Sequence, residues 1–126
     1  MKLLRWGEAG AERPGMLAPD GTIRDLGGVL TDLAGAALAP ENLARLAALD
    51  PARLPVVAPG TRLGPPVAGT GKVIGIGLNY ADHAEEAGMA VPPEPVIFLK
   101  APSAISGPDD PVELPRGAEK LDWEVE

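Results

Sequence analysis

Residues 51–70, PARLPVVAPGTRLGPPVAGT, contain five prolines and three glycines in twenty positions. Proline fixes one backbone dihedral and has no amide hydrogen, so no regular element longer than a short strand is expected in this stretch. Such a composition is typical of a linker between compact parts of a chain. It predicts a small N-terminal domain, over residues 1–62, and a further domain that begins near Gly71.

The remaining glycines and prolines indicate a fold of short strands and many turns. The chain has 16 glycines and 15 prolines, and they follow no repeating period. Met1–Trp6 is a predicted strand, and the turn sequence Pro19-Asp20-Gly21 precedes another over Thr22–Leu26. Pro40 begins a predicted helix that runs to about Leu49, with leucines at every third position from residue 43 for packing. The predicted fold class is α+β, mainly β.

Charge and composition exclude several classes of partner. Eighteen acidic and eleven basic residues give a formal charge of −7, which disfavours nucleic acid and anionic membranes. The absence of cysteine excludes disulfides and thiolate metal sites. No apolar run reaches the length of a membrane span, and the N-terminus lacks the pattern of a signal peptide. We therefore expect a soluble, cytoplasmic protein.

The stretch from Gly71 to Lys100 has the pattern strand, turn, short helix, loop and strand. Val73–Gly77 is apolar and too short for a helix, which predicts a buried strand. Asn79 is the predicted N-cap of a helix over Ala81–Ala87, and Gly88 is expected to end it.

His83 and Glu86 are three residues apart on this predicted helix, so they would lie on one face. The carboxylate could then orient the imidazole and stabilise its charged form, which makes the pair a candidate general base. His83 is the single histidine of the chain and has Glu85 and Glu86 close behind it. A solvated surface histidine is the alternative that spacing alone favours.

A predicted strand over Val96–Lys100 ends on a lysine. Phe98 and Lys100 would lie on one face of this strand, with Ile97 and Leu99 on the other. A lysine at the end of a strand usually extends its ammonium into solvent, so spacing alone gives Lys100 no functional role.

The glycines before the helix do not form a nucleotide-binding motif. Gly75-Ile76-Gly77 is followed by Tyr80 where a dinucleotide fingerprint needs its third glycine. Lys72 is followed by Val73 rather than by the serine or threonine of a phosphate loop. These glycines are instead expected to let a sheet backbone bend or approach a ligand closely.

The last six residues, LDWEVE, alternate between apolar and acidic side chains. In a strand, Leu121, Trp123 and Val125 would share one face and the three carboxylates the other. The simplest interpretation is a half-buried strand with a solvated acidic face. A divalent cation is the alternative, because it would relieve the repulsion between carboxylates at two-residue spacing.

Three separated blocks, GIGLNYADHAEEAG, PVIFLKAPSAISGP and LDWEVE, resemble the fumarylacetoacetate hydrolase family in their order and spacing. The resemblance covers residues 67–126 strongly and the N-terminal region only weakly. It implies a catalytic domain of mixed β-sheets rolled into a barrel-like shape, of which residues 67–126 are the first part.

The same resemblance implies roles for individual residues. His83, oriented by Glu86, is the implied catalytic pair, and Lys100 is expected to contact an anionic group of the substrate. Glu124 and Glu126 match the E-x-E strand of the family and are expected to bind Mg²⁺ or Mn²⁺. The third metal ligand of the family is an aspartate that would lie beyond residue 126.

The implied function is that of a metal-dependent hydrolase, isomerase or decarboxylase that acts on 2-oxo acids in the catabolism of aromatic compounds. The expected substrate is an acylpyruvate or a dicarboxylate of the 2-hydroxyhepta-2,4-diene-1,7-dioate type. All three reactions share one enolate intermediate, so the residues do not select among them. A homodimer is also expected.

The position of the third metal ligand leads us to expect that the 126 residues are a fragment of a longer enzyme. The alternative is a truncated, non-catalytic folding or interaction domain that needs a partner chain to cover an open sheet edge.

Overall fold

The computed structural model describes residues 1–121. The elements of this part are the strands β1 (Lys2–Trp6), β2 (Arg13–Leu17), β3 (Ile23–Asp25), β4 (Leu63–Gly64), β5 (Val73–Gly77) and β6 (Val96–Lys100), and the helices α1 (Pro40–Ala47) and α2 (Ala81–Glu86). They belong to two compact units. Unit 1 comprises Met1–Gly69 and Ile105–Asp110, and unit 2 comprises Thr70–Ala104 and the chain after Asp110.

Unit 1 is built on an antiparallel sheet with the strand order β3-β2-β1-β4. The predicted turn at Pro19-Asp20-Gly21 connects β2 to β3. Gly21 has a φ of +81°, a conformation that glycine adopts without steric cost. The Thr22 amide donates to Asp20 Oδ1 over 2.9 Å, so the aspartate side chain closes the turn.

Helix α1 lies against this sheet and begins, as predicted, with Pro40 in its first turn. It ends at Ala47, two residues before the predicted end, because the next residues form a tighter turn in which the Leu49 amide donates to the Leu46 carbonyl. Leu46 is buried with Met16 and Leu26, and these three side chains form a hydrophobic cluster in the core of unit 1. The predicted packing role of the leucines therefore holds most strongly for Leu46.

An ion-pair network holds residues 105–110 on unit 1. Arg62 binds both carboxylate oxygens of Asp110, with Nε to Oδ1 at 2.7 Å and Nη2 to Oδ2 at 2.6 Å. Arg62 Nη1 also donates to Glu12 Oε1 over 3.1 Å. The Gly107 amide donates to Asp110 Oδ2 over 2.7 Å. The Arg62 guanidinium lowers the pKa of Asp110, and the carboxylates of Asp110 and Glu12 raise the pKa of Arg62.

Unit 2 contains an antiparallel pair formed by β5 and β6. Its register runs from Val73 opposite Lys100 to Gly77 opposite Val96, so both strands have the predicted bounds. The prediction that β5 is buried was wrong in the described part of the chain, because β5 has a single strand partner and Ile74 is 58% exposed.

The described residues confirm a mixed fold with few helices and antiparallel sheets. They form no closed barrel, so the barrel-like catalytic domain stays a prediction. Among these residues, no helix is both long enough and apolar enough to cross a membrane.

Candidate active site

Helix α2 carries both predicted catalytic side chains, His83 and Glu86. Its N-cap is Tyr80, whose backbone is extended (φ −116°, ψ 133°), and no side chain caps the helix there. The prediction that Asn79 is the N-cap was therefore wrong, since Asn79 stands one residue too early. Asp82 partly replaces a cap, because its Oδ1 accepts a hydrogen bond of 2.9 Å from the His83 amide in the first turn of the helix.

The end of α2 is fixed by Gly88, as predicted. Gly88 has a φ of +65°, and its amide donates to the Glu85 carbonyl over 3.0 Å. The Met89 amide reaches back to the Ala84 carbonyl over 2.8 Å. These two bonds form a Schellman motif, which satisfies carbonyls that the helix itself leaves unpaired.

The packing of α2 gives His83 and Glu86 different environments. Ala84 is the buried residue of the helix, with 1% of its surface exposed. His83 is half-buried and Glu86 is exposed. Their three-residue spacing places both on one side of α2, which agrees with the arrangement expected for a histidine and an orienting carboxylate. The catalytic role of this pair stays a prediction.

The connection between β5 and α2 has a feature that sequence reasoning missed. Leu78 has a φ of +50°, and it is the one residue other than glycine with a positive φ in the part of the chain that the structure describes. Such a conformation costs a β-carbon-bearing residue roughly 1–2 kcal/mol. No local sequence signal indicates it, because leucine is an ordinary residue for a strand or a helix.

Strands β5 and β6 form an antiparallel pair connected through residues 78–95, which is called the β5–β6 hairpin. Lys100 ends β6 at the end of this hairpin that is opposite the connection. It is exposed and lies opposite Val73, the first residue of β5. Its Nζ lies 5.6 Å from the centroid of the Phe98 ring. The structure therefore confirms that Phe98 and Lys100 share one face of β6.

A cavity of about 260 Å³ lies within unit 2, beside the end of β5. It is lined by Ile76, Gly77, Leu78, Asn79, Val91 and the loop Pro92–Pro95. His83, Glu86 and Lys100 are not among these residues, so the cavity and the predicted catalytic groups are separate features of unit 2. A larger cavity of about 550 Å³ lies in unit 1 and contains none of the predicted site residues.

The predicted metal ligands Glu124 and Glu126 lie outside the described residues. Within residues 1–121, no group of three or more histidine, aspartate or glutamate side chains could hold a metal ion. Carboxylate oxygens are nevertheless the donors that Mg²⁺ and Mn²⁺ prefer, so the chemistry of the two glutamates fits the implied ion.

Comparison with known proteins finds a family match for part of the chain and relatives of the whole chain. Residues 72–126 match the fumarylacetoacetate hydrolase C-terminal family. All 126 residues align with proteins named as candidate hydrolases from Burkholderia multivorans (59% identical), Burkholderia ambifaria (58%) and Burkholderia lata (57%). In each case the alignment covers 100% of this chain and 45% of the relative, so the chain spans about half the length of the curated relatives it matches. The family match of residues 72–126 confirms the resemblance that the sequence predicts for this part of the chain.

Proposed function

We propose that this chain supplies active-site residues of a metal-dependent hydrolase, isomerase or decarboxylase that acts on 2-oxo acids. The observation that carries the proposal is the family match of residues 72–126, which contain every predicted site residue. The proposed substrates are acylpyruvates or dicarboxylates of the 2-hydroxyhepta-2,4-diene-1,7-dioate type from aromatic compound catabolism. The hairpin of β5 and β6 would be part of the barrel-like catalytic domain.

Lys100 and His83 have separate roles in the proposed reaction. The Lys100 ammonium is an exposed point charge on a flexible stem, which is suited to pair with a substrate carboxylate. An imidazole nitrogen of His83 would accept a proton from water or from a substrate carbon. The negative charge of Glu86 would favour the resulting imidazolium. Acid–base catalysis of this kind typically contributes about 10²- to 10⁴-fold in rate.

Glu124 and Glu126 would hold Mg²⁺ or Mn²⁺ through their carboxylates. When bound, such an ion polarises the oxygens of a 2-oxo acid and stabilises developing negative charge. The residues of α2 and β6 would then position the substrate and move its proton.

The first prediction concerns His83. In the proposed enzyme, we expect His83→Ala to lower kcat by about 10²- to 10⁴-fold, because the proton acceptor is lost. Binding of a substrate analogue and of Mg²⁺ should persist. Turnover of a panel of 2-oxo acids, together with calorimetric titration of an analogue, checks both expectations.

The matched control is Glu85→Gln, which changes an exposed charge on the same helix outside the proposed catalytic pair. This variant should keep the turnover of the unmodified protein. An active His83→Ala variant would remove His83 from the mechanism, and equal losses in both variants would indicate a general effect of disturbing α2.

A second candidate function is that of an interaction domain, and a specific observation favours it. On the face of the β5–β6 hairpin opposite Phe98, Ile74, Ile97 and Leu99 are 58%, 68% and 71% exposed. Contiguous exposed apolar side chains often mark a protein interface. We propose that a second copy of the chain covers this face in a homodimer.

Sedimentation at several protein concentrations, combined with the turnover assay, distinguishes the two candidates. Concentration-dependent association that is lost in an Ile97→Lys variant, without turnover of any 2-oxo acid, would favour the interaction domain. Turnover that requires His83 would favour the enzyme, and a monomer at all concentrations would exclude the proposed homodimer.

A further inference from the structure

One face of the β5–β6 hairpin combines glycines with a single aromatic ring. The register places Gly75 opposite Phe98 and Val73 opposite Lys100, so these four residues project from the same face. Phe98 is half-buried, whereas its neighbours Ile97 and Leu99 on the other face are largely exposed. The ring of Phe98 is therefore covered by something on its own face.

Gly75 is the residue that the Phe98 ring covers. A β-carbon at position 75 would overlap Cζ of the ring and lie 2.6 Å from its Cε2 atom. Real β-carbons do not make such contacts, so the position accepts the ring because it is glycine. At Gly77 a β-carbon would lie 3.5 Å from Phe98 Cε1, which is an ordinary contact. A β-carbon at position 75 would therefore displace the Phe98 ring from its place on the strand, whereas a β-carbon at position 77 would not.

The Lys100 ammonium lies over this same ring, with Nζ 5.6 Å from the ring centroid. A lysine ammonium within about 6 Å of an aromatic centroid is attracted by the negative face of the ring. A lysine side chain at the end of an exposed strand otherwise samples many rotamers, and ordering it on ligand binding has an entropic cost. A ring fixed on the strand reduces that cost, because it holds the ammonium before the ligand arrives.

We propose that Phe98, seated on Gly75, is a positioning residue that holds the Lys100 ammonium for the carboxylate of an anionic ligand. The proposal rests on the proposed function, in which Lys100 binds the carboxylate of a 2-oxo acid. It assigns to Gly75 the role of making room for the ring. Phe98 and Gly75 would then help to set the position of the ammonium without touching the ligand.

The test uses the variants Phe98→Leu, Phe98→Tyr and Gly75→Ala of the proposed enzyme. The matched control is Leu99→Ala, which changes a side chain on the opposite face of β6. In NMR spectra, the ε-methylene protons of Lys100 should be shifted upfield by the ring in the unmodified protein and in Phe98→Tyr. The shift should be lost in Phe98→Leu and Gly75→Ala and kept in Leu99→Ala.

Binding of pyruvate, the smallest 2-oxo acid of this kind, is measured in the same Mg²⁺-containing buffer. We expect Phe98→Leu and Gly75→Ala to raise Kd about two- to fivefold, the range for a cation–π contact at an exposed site. Phe98→Tyr and Leu99→Ala should bind as the unmodified protein does. With a turned-over substrate, the loss should appear in KM and leave kcat unchanged.

Failure of this proposal and failure of the proposed function give different results. If Lys100→Ala weakens pyruvate binding while Phe98→Leu does not, Lys100 binds the ligand but Phe98 does not position it. An unshifted Lys100 resonance in the unmodified protein would also overturn the positioning role. If Lys100→Ala leaves pyruvate binding unchanged, the role of Lys100 in the proposed function is wrong, and the positioning role is wrong with it.

Discussion

Gly88 is the residue on which the shape of α2 most clearly depends. An alanine at this position would meet no atom within 4 Å of its β-carbon, so a substitution would act only through the backbone. At a φ of +65°, a β-carbon costs roughly 1–2 kcal/mol. We predict that Gly88→Ala speeds amide hydrogen exchange within α2 by about five- to thirtyfold, since 1.4 kcal/mol corresponds to tenfold.

Gly28→Ala is the control for this prediction. Gly28 also has open space around its β-carbon position, but its φ lies outside the left-handed region. Exchange in α2 should therefore be unchanged in this variant. If Gly88→Ala leaves exchange at Ala84 and Ala87 unaltered, then Gly88 is not what ends the helix.

The segment 105–110 depends on one residue pair, Arg62 and Asp110. The guanidinium and the Gly107 amide both favour the charged form of Asp110 and lower its pKa from the ordinary value of 3.8. A carboxyl group whose pKa is lower in the folded state stabilises that state above its unfolded pKa. We predict that this contribution is fully present above about pH 4 and is lost as the pH falls further.

The measurement is the pH dependence of hydrogen exchange at the Gly107 amide, compared between the unmodified protein and Asp110→Asn. The variant should exchange faster at neutral pH, and its stability should change less between pH 5 and pH 2. Asp109→Asn is the control, because Asp109 is exposed and adjacent in sequence. Equal effects of both substitutions would exclude a specific role for the Arg62 pair.

Local sequence patterns predicted the elements around the candidate site because their determinants lie within a few residues. The β-branched run of β5 and the helix end at Gly88 are examples of such local signals. The N-cap prediction failed because Tyr80, rather than Asn79, is the extended residue directly before α2, and tyrosine is not a residue type that signals an N-cap.

Other features depend on residues that are distant in sequence. Arg62 and Asp110 are 48 residues apart, and no periodic pattern connects them. The contact between Gly75 and the Phe98 ring likewise depends on the register of two strands. The sequence places Lys100 and Phe98 on one face, but only the paired structure explains why glycine lies beneath the ring.

At the scale of the whole molecule, the described residues of unit 2 carry the predicted catalytic side chains, but the cavity in this unit is small. The cavity beside β5 has a volume of about 260 Å³. Typical small-molecule pockets have volumes of about 300–1,000 Å³. The relatives are about twice as long as this chain, since it covers 45% of their length. We therefore expect the substrate pocket of the proposed enzyme to need residues besides those that line this cavity.

The affinity for Mg²⁺ tests this expectation at the same scale. Glu124 and Glu126 can supply only part of an octahedral shell, and Mg²⁺ gives up its waters reluctantly. Residues 1–121 contribute no further cluster that could hold a metal ion. We predict that this chain binds Mg²⁺ weakly and that Glu124→Gln abolishes the binding. The control Glu113→Gln, at an exposed position, should leave the binding unchanged.

A relative of full length should bind about one ion per subunit, because a three-carboxylate site with waters fills one octahedron. Titration calorimetry measures all four proteins. Tight stoichiometric binding by this chain would mean that its own residues complete the shell, and binding that survives Glu124→Gln would remove that glutamate from the ligand set.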